Sequence, residues 1–354
     1  MKFNRVNMLR IGDKQIGPDQ PAFFIAEAGV NHNGNVENAK RLVEIAADAG
    51  ADAVKFQTFR AQELASAAAP KAKYQQDHTG ADESQFEMLK GLELSAENFQ
   101  EIEKHAHRKG IIFLSTPFDT ESVDMLDHLG VPAFKIPSGE ITNWPLLEYI
   151  AAKQKPVILS TGMSYLSEVG DAIGVIRAAG CSQLAVLHCT SNYPATAASS
   201  NLRAMQTISE SFDVPTGLSD HTLGIEMAIA AIALGARIIE KHFTLDKSLP
   251  GPDHQASLAP DELRILIHSI REVESGMGDG IKRPTPSEEE TRDVARRSII
   301  THEQILKGTA IERRMLVFKR PGNGIPPSKL AEIVGRKVNR TIPADSKLEF
   351  EDLS

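Results

Sequence analysis

From about Ala22 to Ser275, short apolar runs alternate with stretches whose apolar positions recur every three or four residues. That alternation predicts βα units feeding one parallel sheet. Strands are expected at Phe23–Ala26, Ala53–Gln57, Ile111–Ser115, Ala133–Ile136, Val157–Leu159, Leu184–His188, Pro215–Leu218 and Arg237–Lys241. Helices are expected after each of them, at Val36–Ala49, Ser95–Lys109, Thr120–Leu129, Trp144–Ala152, Leu166–Ala179, Leu202–Ser211, Ile225–Leu234 and Pro260–Glu274. Gly50, Gly110, Gly130, Gly180 and Gly235 stand where helices end, since glycine takes left-handed dihedrals freely. Eight strand–helix pairs is the count at which a parallel sheet closes, so the expected fold is α/β, a (β/α)8 barrel over residues 1–275.

Three stretches fall outside the repeat. Residues 1–21 read as a hairpin closing the barrel bottom, and the insertion from Thr58 to Leu94 is long enough to carry a task of its own. Residues 276–296, with glycines, prolines and a run of acids, read as a linker. Residues 297–354 have short β-type runs broken by Gly and Pro, and read as a small β-rich module.

Composition narrows the function. Among 354 residues, 41% hydrophobic and 24% charged are ordinary for a globular protein, and 19 Pro with 25 Gly supply turns without implying disorder. A net charge of -8 argues against sequence-independent nucleic-acid binding, so any anionic substrate must be held by a few placed cations. Two cysteines, Cys181 and Cys189, make no disulfide framework, and the opening MKFNRVNMLRIG lacks the apolar run of a signal peptide. No stretch approaches the ~18 uninterrupted apolar residues of a membrane span. The expectation is a cytoplasmic protein with neither membrane nor nucleic acid as partner.

In such a barrel the reacting groups sit at the C-terminal strand ends. Polar groups cluster there: Glu27; Lys55 and Gln57; Ser115 and Thr116; Lys135 and Ser138; Ser160 and Thr161; His188 and Thr190; Ser219, Asp220 and His221; Glu240 and His242. An unpaired buried ammonium costs roughly several kcal/mol, so Lys55 and Lys135 call for an anionic ligand, aided by the hydroxyls of Thr116, Ser138, Ser160 and Ser219. The ordinary alternative is an ion pair to a strand carboxylate such as Glu240. His221 and His242 end adjacent strands, and two imidazoles with water and substrate oxygens suit Mn, Zn, Co or, less typically, Mg. A strand-end histidine is equally at home as a hydrogen-bonded structural residue, the reading taken for His188, and Cys189 reads as a small buried thiol.

The motifs IAEAGVNHNG (25–34), VKFQT (54–58), STPF (115–118), KIPSGE (135–140), LSTGM (159–163), HCTSNYP (188–194), GLSDHT (217–222), EKHFT (240–244), PGPDH (250–254) and KRPGNG (319–324) occur in one order. On them the chain resembles the sialic acid (N-acetylneuraminate) synthase family, with its legionaminic and pseudaminic acid synthase relatives. The resemblance implies a barrel followed by an antifreeze-like SAF domain, in a domain-swapped homodimer. It implies that Lys55, Gln57, Thr116, Lys135, Ser138, Ser160, Ser191 and Ser219 bind phosphoenolpyruvate, and that His221 and His242 hold Mn2+, with Mg2+ or Co2+ as alternatives. Glu27, Tyr193 and Asp253 would face the sugar, and Arg320 would reach in from the other subunit. The catalytic set is then Glu27, Lys55, Lys135, His221 and His242. Where several family members have Asn this chain has Ser191, so the contact there falls to Ser191 or Asn192, and Pro137 replaces a more usual glycine.

The implied reaction condenses phosphoenolpyruvate with an open-chain N-acetylated aldose, N-acetylmannosamine first and a 2,4-diacetamido-6-deoxy hexose second. Two rivals stand beside it: a pyruvate aldolase using Lys135 as Schiff-base nucleophile, and a non-catalytic sugar- or ice-binding protein.

Overall fold

The computed structural model describes residues 8–80 and 82–354, in two compact units that divide between Gly278 and Asp279. In the first unit an antiparallel hairpin, β1 (Leu9–Ile11) and β2 (Lys14–Ile16), precedes eight parallel strands. These are β3 (Phe23–Gly29), β4 (Ala53–Thr58), β5 (Ile112–Pro117), β6 (Phe134–Ile136), β7 (Val157–Ser160), β8 (Leu184–Cys189), β9 (Thr216–Asp220) and β10 (Ile238–His242). Their order, β5-β4-β3-β10-β9-β8-β7-β6, joins the first barrel strand to the last. β5 and β6 lie side by side across the remaining gap, so the expected barrel is formed. The five glycines foreseen at helix ends all have positive φ, between 71° and 98°.

Period-two alternation sorts the strand residues into two faces. Stepping by two from the hairpin end, six of the eight strands run from apolar to polar on their inner faces: Ile25 to Glu27, Ala53 to Lys55 to Gln57, Leu114 to Thr116, Ala133 to Lys135, Ile158 to Ser160, Ile238 to Glu240 to His242. The lower layers form one buried cluster with Leu9, Ile11 and Ile16 of the hairpin, which therefore closes the barrel base. Residues 1–7 of the expected hairpin stretch lie outside the described residues. Outer-face residues pack on the helices in a second, larger core.

One ion pair belongs to that outer face. Lys241 Nζ lies 2.6 Å from Asp220 Oδ2 and donates to the Thr222 carbonyl at 2.8 Å, with both charged side chains only 2% exposed. Because Asp220 and Lys241 are register partners, the pair ties the ends of β9 and β10 together.

The insertion between β4 and the helix Ala96–Lys109 forms three short helices, Ala61–Leu64, Lys73–Thr79 and Gln85–Leu92, with a small core of Val30, Phe59, Met88 and Leu92. In the second unit β11 (Ser298–Thr301) and β12 (Leu316–Lys319) pair antiparallel around a core that includes Ile299, Ile311, Ile333 and Leu348. Residues 276–296, expected as a linker, carry more regular structure than that reading implied: the last barrel helix runs on to Met277, and Pro286–Ala295 is a helix. The prolines and acids there double as a start signal, with Pro286 in the first turn and the Glu288 carboxylate accepting from the Thr285 amide at 2.8 Å. Among the described residues no helix is long and apolar enough to cross a membrane.

Candidate active site

The C-terminal mouth holds a compact charge cluster. Lys55 Nζ lies 2.7 Å from Glu27 Oε2 and 3.7 Å from Glu240 Oε2, and donates to Thr116 Oγ1 at 2.8 Å. Lys135 Nζ lies 3.5 Å from Glu240 Oε1 and donates to Ser160 Oγ at 2.7 Å. The Ser219 hydroxyl donates to Glu240 at 3.0 Å, and Gln57 reaches Glu27 at 3.4 Å. The ordinary reading of the lysines is thus present in part: they are paired with carboxylates, and Glu240 sits between them.

The pairing leaves atoms unmatched. Of five buried side-chain polar atoms without a hydrogen-bond partner among the described residues, three face this mouth: Glu27 Oε2, Glu240 Oε2 and His242 Nδ1. Glu27 Oε2 is close to Lys55 but off the hydrogen-bonding direction. Glu27 Oε2 is ion-paired with Lys55, which leaves Glu240 Oε2 and His242 Nδ1 as the buried atoms short of a hydrogen-bond partner at this mouth, where a ligand's polar groups would satisfy them.

Titration behaviour follows the charges. Burial, only partly offset by the Lys55 ammonium, pushes the Glu27 carboxyl up to about 7. Burial works against Glu240 as well, but there the Lys135 and Lys55 ammoniums prevail and hold it near 2. Burial lowers Lys135, whereas in Lys55 the opposing carboxylates of Glu240 and Glu27 outweigh burial and raise it. Burial, then His221 and Lys55, drives His242 well below the usual imidazole range, so its ring is neutral and able to ligate.

The His221 and His242 rings lie 5.5 Å apart between centroids. His221 Nδ1 donates to the Thr190 carbonyl at 2.9 Å, which leaves its Nε2 for another partner. Tyr193 packs 4.1 Å from His221 and edge-on to His242 at 5.8 Å. Among the described residues no group of three His, Cys, Asp or Glu side chains is arranged to hold a metal ion, so the protein offers two imidazoles and no third ligand.

The Ser138 and Ser191 hydroxyls close over Gly162. The Gly162 amide donates to Ser138 Oγ at 2.8 Å, and a Cβ on Gly162 would lie 2.1 Å from Ser191 Oγ and 2.9 Å from Ser138 Oγ, so only glycine fits there. Ser191 Oγ thus packs on Gly162, whereas Asn192 is exposed.

Asp253 is buried just before the turn His254–Ala256, which His254 latches by bonding Thr244 at 2.6 Å and Asn33 at 3.0 Å. Arg320 lies in the second unit, its Nε donating to the Ala295 carbonyl at 2.9 Å.

Five strand-end groups counted toward the mouth do not join it: Ser115 lies between the inward Leu114 and Thr116 and pairs with Thr58, and Thr190 donates to the Ser199 carbonyl. Asp220 turns outward to Lys241, Thr161 bonds the Leu187 carbonyl, and His188 bonds the Ser200 carbonyl, the last in keeping with its structural reading. Two residues were missed. Cys189 takes the inward position beside His188, 3.7 Å from His221 Nδ1, as period two from Leu187 dictates. Burial alone would raise its thiol, but His221 and Ser138 bring it down to about 7. Tyr74, from the insertion, stacks on Tyr193 at 5.0 Å.

A closed parallel cylinder with paired lysines, hydroxyls and imidazoles at one mouth defines a barrel enzyme built for an anionic substrate. The chain belongs to the NeuB family, whose pattern matches residues 42–282, and a SAF domain pattern matches residues 296–354. It is similar, at 47% identity over 346 residues and 97% of each chain, to the N,N'-diacetyllegionaminic acid synthase of Legionella pneumophila. To the protein of that name from Campylobacter jejuni it is 49% identical over 324 residues, covering 91% of this chain and 97% of the other. Among solved structures, the N-acetylneuraminic acid synthetase of Leptospira borgpetersenii, crystallised with citrate, matches with a TM-score of 0.72 at 35% identity, covering 81% of this chain and 95% of that one. The resemblance to sialic acid synthases and their legionaminic relatives, read from the motifs, is borne out.

Proposed function

We propose that this protein condenses phosphoenolpyruvate with an open-chain 2,4-diacetamido-6-deoxy aldose and water, giving a nonulosonic acid of the legionaminic type and phosphate. The observation that carries the reading is the mouth itself, where two ammoniums, the hydroxyls of Thr116, Ser160 and Ser219 and two buried polar atoms without hydrogen-bond partners converge. The relatives at 47% and 49% identity both carry the diacetyllegionaminic name, which supports that acceptor over the N-acetylmannosamine placed first from the motifs.

Lys55 and Lys135 take the phosphate and carboxylate of the donor, with Thr116, Ser138, Ser160, Ser191, Ser219 and Gln57 as further polar contacts. The donor's methylene carbon attacks the aldehyde carbon, its enol electron pair becoming the new carbon–carbon bond while the C=O π pair moves onto the aldehyde oxygen, which takes a proton to become the C4 hydroxyl. Positive charge at carbon 2 is met by water, whose proton passes to Glu27. The carbon–oxygen bond to phosphate then breaks, leaving a 2-keto acid that closes to the ring form. Burial keeps His242 neutral; it opposes the charged form of His221 too, but there Cys189 and the Thr190 carbonyl prevail and raise the ring, so a cation would have to displace its proton. Two imidazoles and no third protein ligand among the described residues fit a divalent ion completed by water and substrate oxygens. His221 and His242 would hold it, Mn2+ first with Mg2+ or Co2+ as alternatives. When bound, such an ion polarises the aldehyde oxygen. Tyr193 and Asp253 face the sugar. Arg320 of a second copy, in a domain-swapped homodimer, would meet its acyl group.

Phosphate release from phosphoenolpyruvate with Mn2+ and a panel of acylated sugars, read with product mass, tests this. No release with any acceptor overturns the reaction, and release with N-acetylmannosamine alone overturns the acceptor. Burial pushes Lys135 toward the neutral amine of a Schiff-base aldolase; borohydride trapping of pyruvate on Lys135 would favour that rival.

Two further results are expected. His242→Ala should lose Mn2+ binding, measured by calorimetry, while its thermal midpoint stays close to the parent; retained binding would remove His242 from the ion. The pH profile of kcat/KM should rise with a midpoint near 7 and flatten in Glu27→Gln. Stability runs the other way. A carboxyl raised from 4.5 to about 7 on folding contributes stability that is present below pH 4.5 and lost as pH rises through 7, so Glu27→Gln should hold its stability better across that window. A rising limb that survives the substitution would assign it to another group.

A further inference from the structure

The insertion after β4 has no strand or helix place in the barrel repeat, yet it is firmly held. Lys71, its side chain 1% exposed, lies 3.1 Å from Glu83 and donates to Thr79 Oγ1 at 2.9 Å, and the Gln76 amide donates to the Lys71 carbonyl at 2.7 Å. These bonds fix the helix Lys73–Thr79 at both ends. Its first turn delivers Tyr74 onto Tyr193, with ring centroids 5.0 Å apart and planes inclined by 27°. Tyr193 in turn packs on both imidazoles. Burial raises the pKa of both phenols, and the Asp253 carboxylate adds to the rise in each.

We infer that Tyr74 is a specificity-determining residue: its ring forms the outer wall of the acceptor-sugar site and selects aldoses rich in methyl groups. This rests on the condensation reading above. Tyr193 packs on both imidazoles and Tyr74 is the next ring in that stack, so a sugar whose aldehyde lies at His221 and His242 would have Tyr193 and then Tyr74 beside its carbon chain. A diacetamido-6-deoxy aldose presents two acetyl methyls and a C6 methyl, whereas N-acetylmannosamine presents one acetyl methyl and a C6 hydroxyl. An aromatic face rewards the first set with apolar contact and offers the extra hydroxyl nothing. Asp253 and the phenol hydroxyls suit the amide N–H and hydroxyl groups that both sugars share.

The test compares the two acceptors in the full-length enzyme, in Tyr74→Ala and in Tyr74→Phe. Tyr74→Ala is expected to narrow the preference for the diacetamido sugar, as a ratio of kcat/KM values, by about tenfold, the scale of one or two methyl contacts. The KM for phosphoenolpyruvate should stay unchanged, and Tyr74→Phe, which keeps the ring, should keep the preference. Thermal melts of both variants, with Tyr74→Leu as a second apolar replacement, separate a lost wall from a lost fold. An unchanged preference in Tyr74→Ala and Tyr74→Leu, or a KM for phosphoenolpyruvate that rises in step with that for the sugar, overturns the inference while leaving the reaction intact. Calorimetric binding of the diacetamido sugar gives an independent readout. If no acceptor is turned over but Tyr74→Ala still weakens binding about tenfold, the reaction fails and the wall stands.

Discussion

Lys55→Met is expected to lower kcat/KM for phosphoenolpyruvate by about 10²–10³-fold, the usual cost of removing one preorganised charged donor from a water-poor site. The same change strips Glu27 of the ammonium 2.7 Å away and leaves Glu240 with Lys135 alone. Orphaning a buried charge costs about 3–5 kcal/mol, although Glu27 has an escape because it already takes up a proton near neutral pH. The stability loss should therefore be small near pH 6 and grow toward pH 8, where protonating Glu27 becomes unfavourable. Adding Glu27→Gln removes the orphaned carboxylate, so the double variant should recover stability at pH 8 without recovering turnover. Urea unfolding at both pH values, with steady-state kinetics, separates the two roles. Wild-type kcat/KM in the single variant, or restored turnover in the double one, would refute the donor role.

Lys241→Met should cause a loss of the opposite kind, about 3–5 kcal/mol of unfolding free energy, because the Asp220 side chain, enclosed between sheet and helices, is left without its cation. Asp220 would keep the Thr222 amide and hydroxyl as donors, which is too little to replace a cation 2.6 Å away. Replacing both partners, as Asp220→Asn with Lys241→Met, should return most of the loss, since a neutral pair of similar volume carries no uncompensated charge. The remaining folded enzyme should keep its KM values because neither side chain enters the lumen. Urea midpoints within about 0.5 kcal/mol of the parent for the single variant would mean that the pair contributes little.

These two lysines also show what was readable from the chain alone. The eight strands and their helices follow from periodicity, and Lys55 and Lys135 fell correctly at the mouth because strand ends were correctly placed. The facing of individual residues was recoverable but not recovered. Counting by twos from Leu187 puts Cys189 inside and His188 outside, and counting from Leu218 sends Asp220 outward to Lys241. Listing polar residues near a strand end merges the two faces and so misplaced Asp220. Tyr74 lay beyond any such count. Its contact with Tyr193 spans more than a hundred residues, and the insertion that carries it is shaped by Lys71, Glu83 and a small local core instead of by strand or helix periodicity. The helix Pro286–Ala295 was lost for a simpler reason: Pro, Thr and Glu in a row spell a helix start as well as they spell a linker.

The hairpin of Leu9, Ile11 and Ile16 makes the barrel a cul-de-sac. With its base stoppered, everything that enters or leaves uses one doorway, and on β10 the carboxylate of Glu240 stands one layer deeper than the ring of His242. Under the proposed condensation, a donor seated at the lysines would therefore have to arrive before the sugar that settles above it.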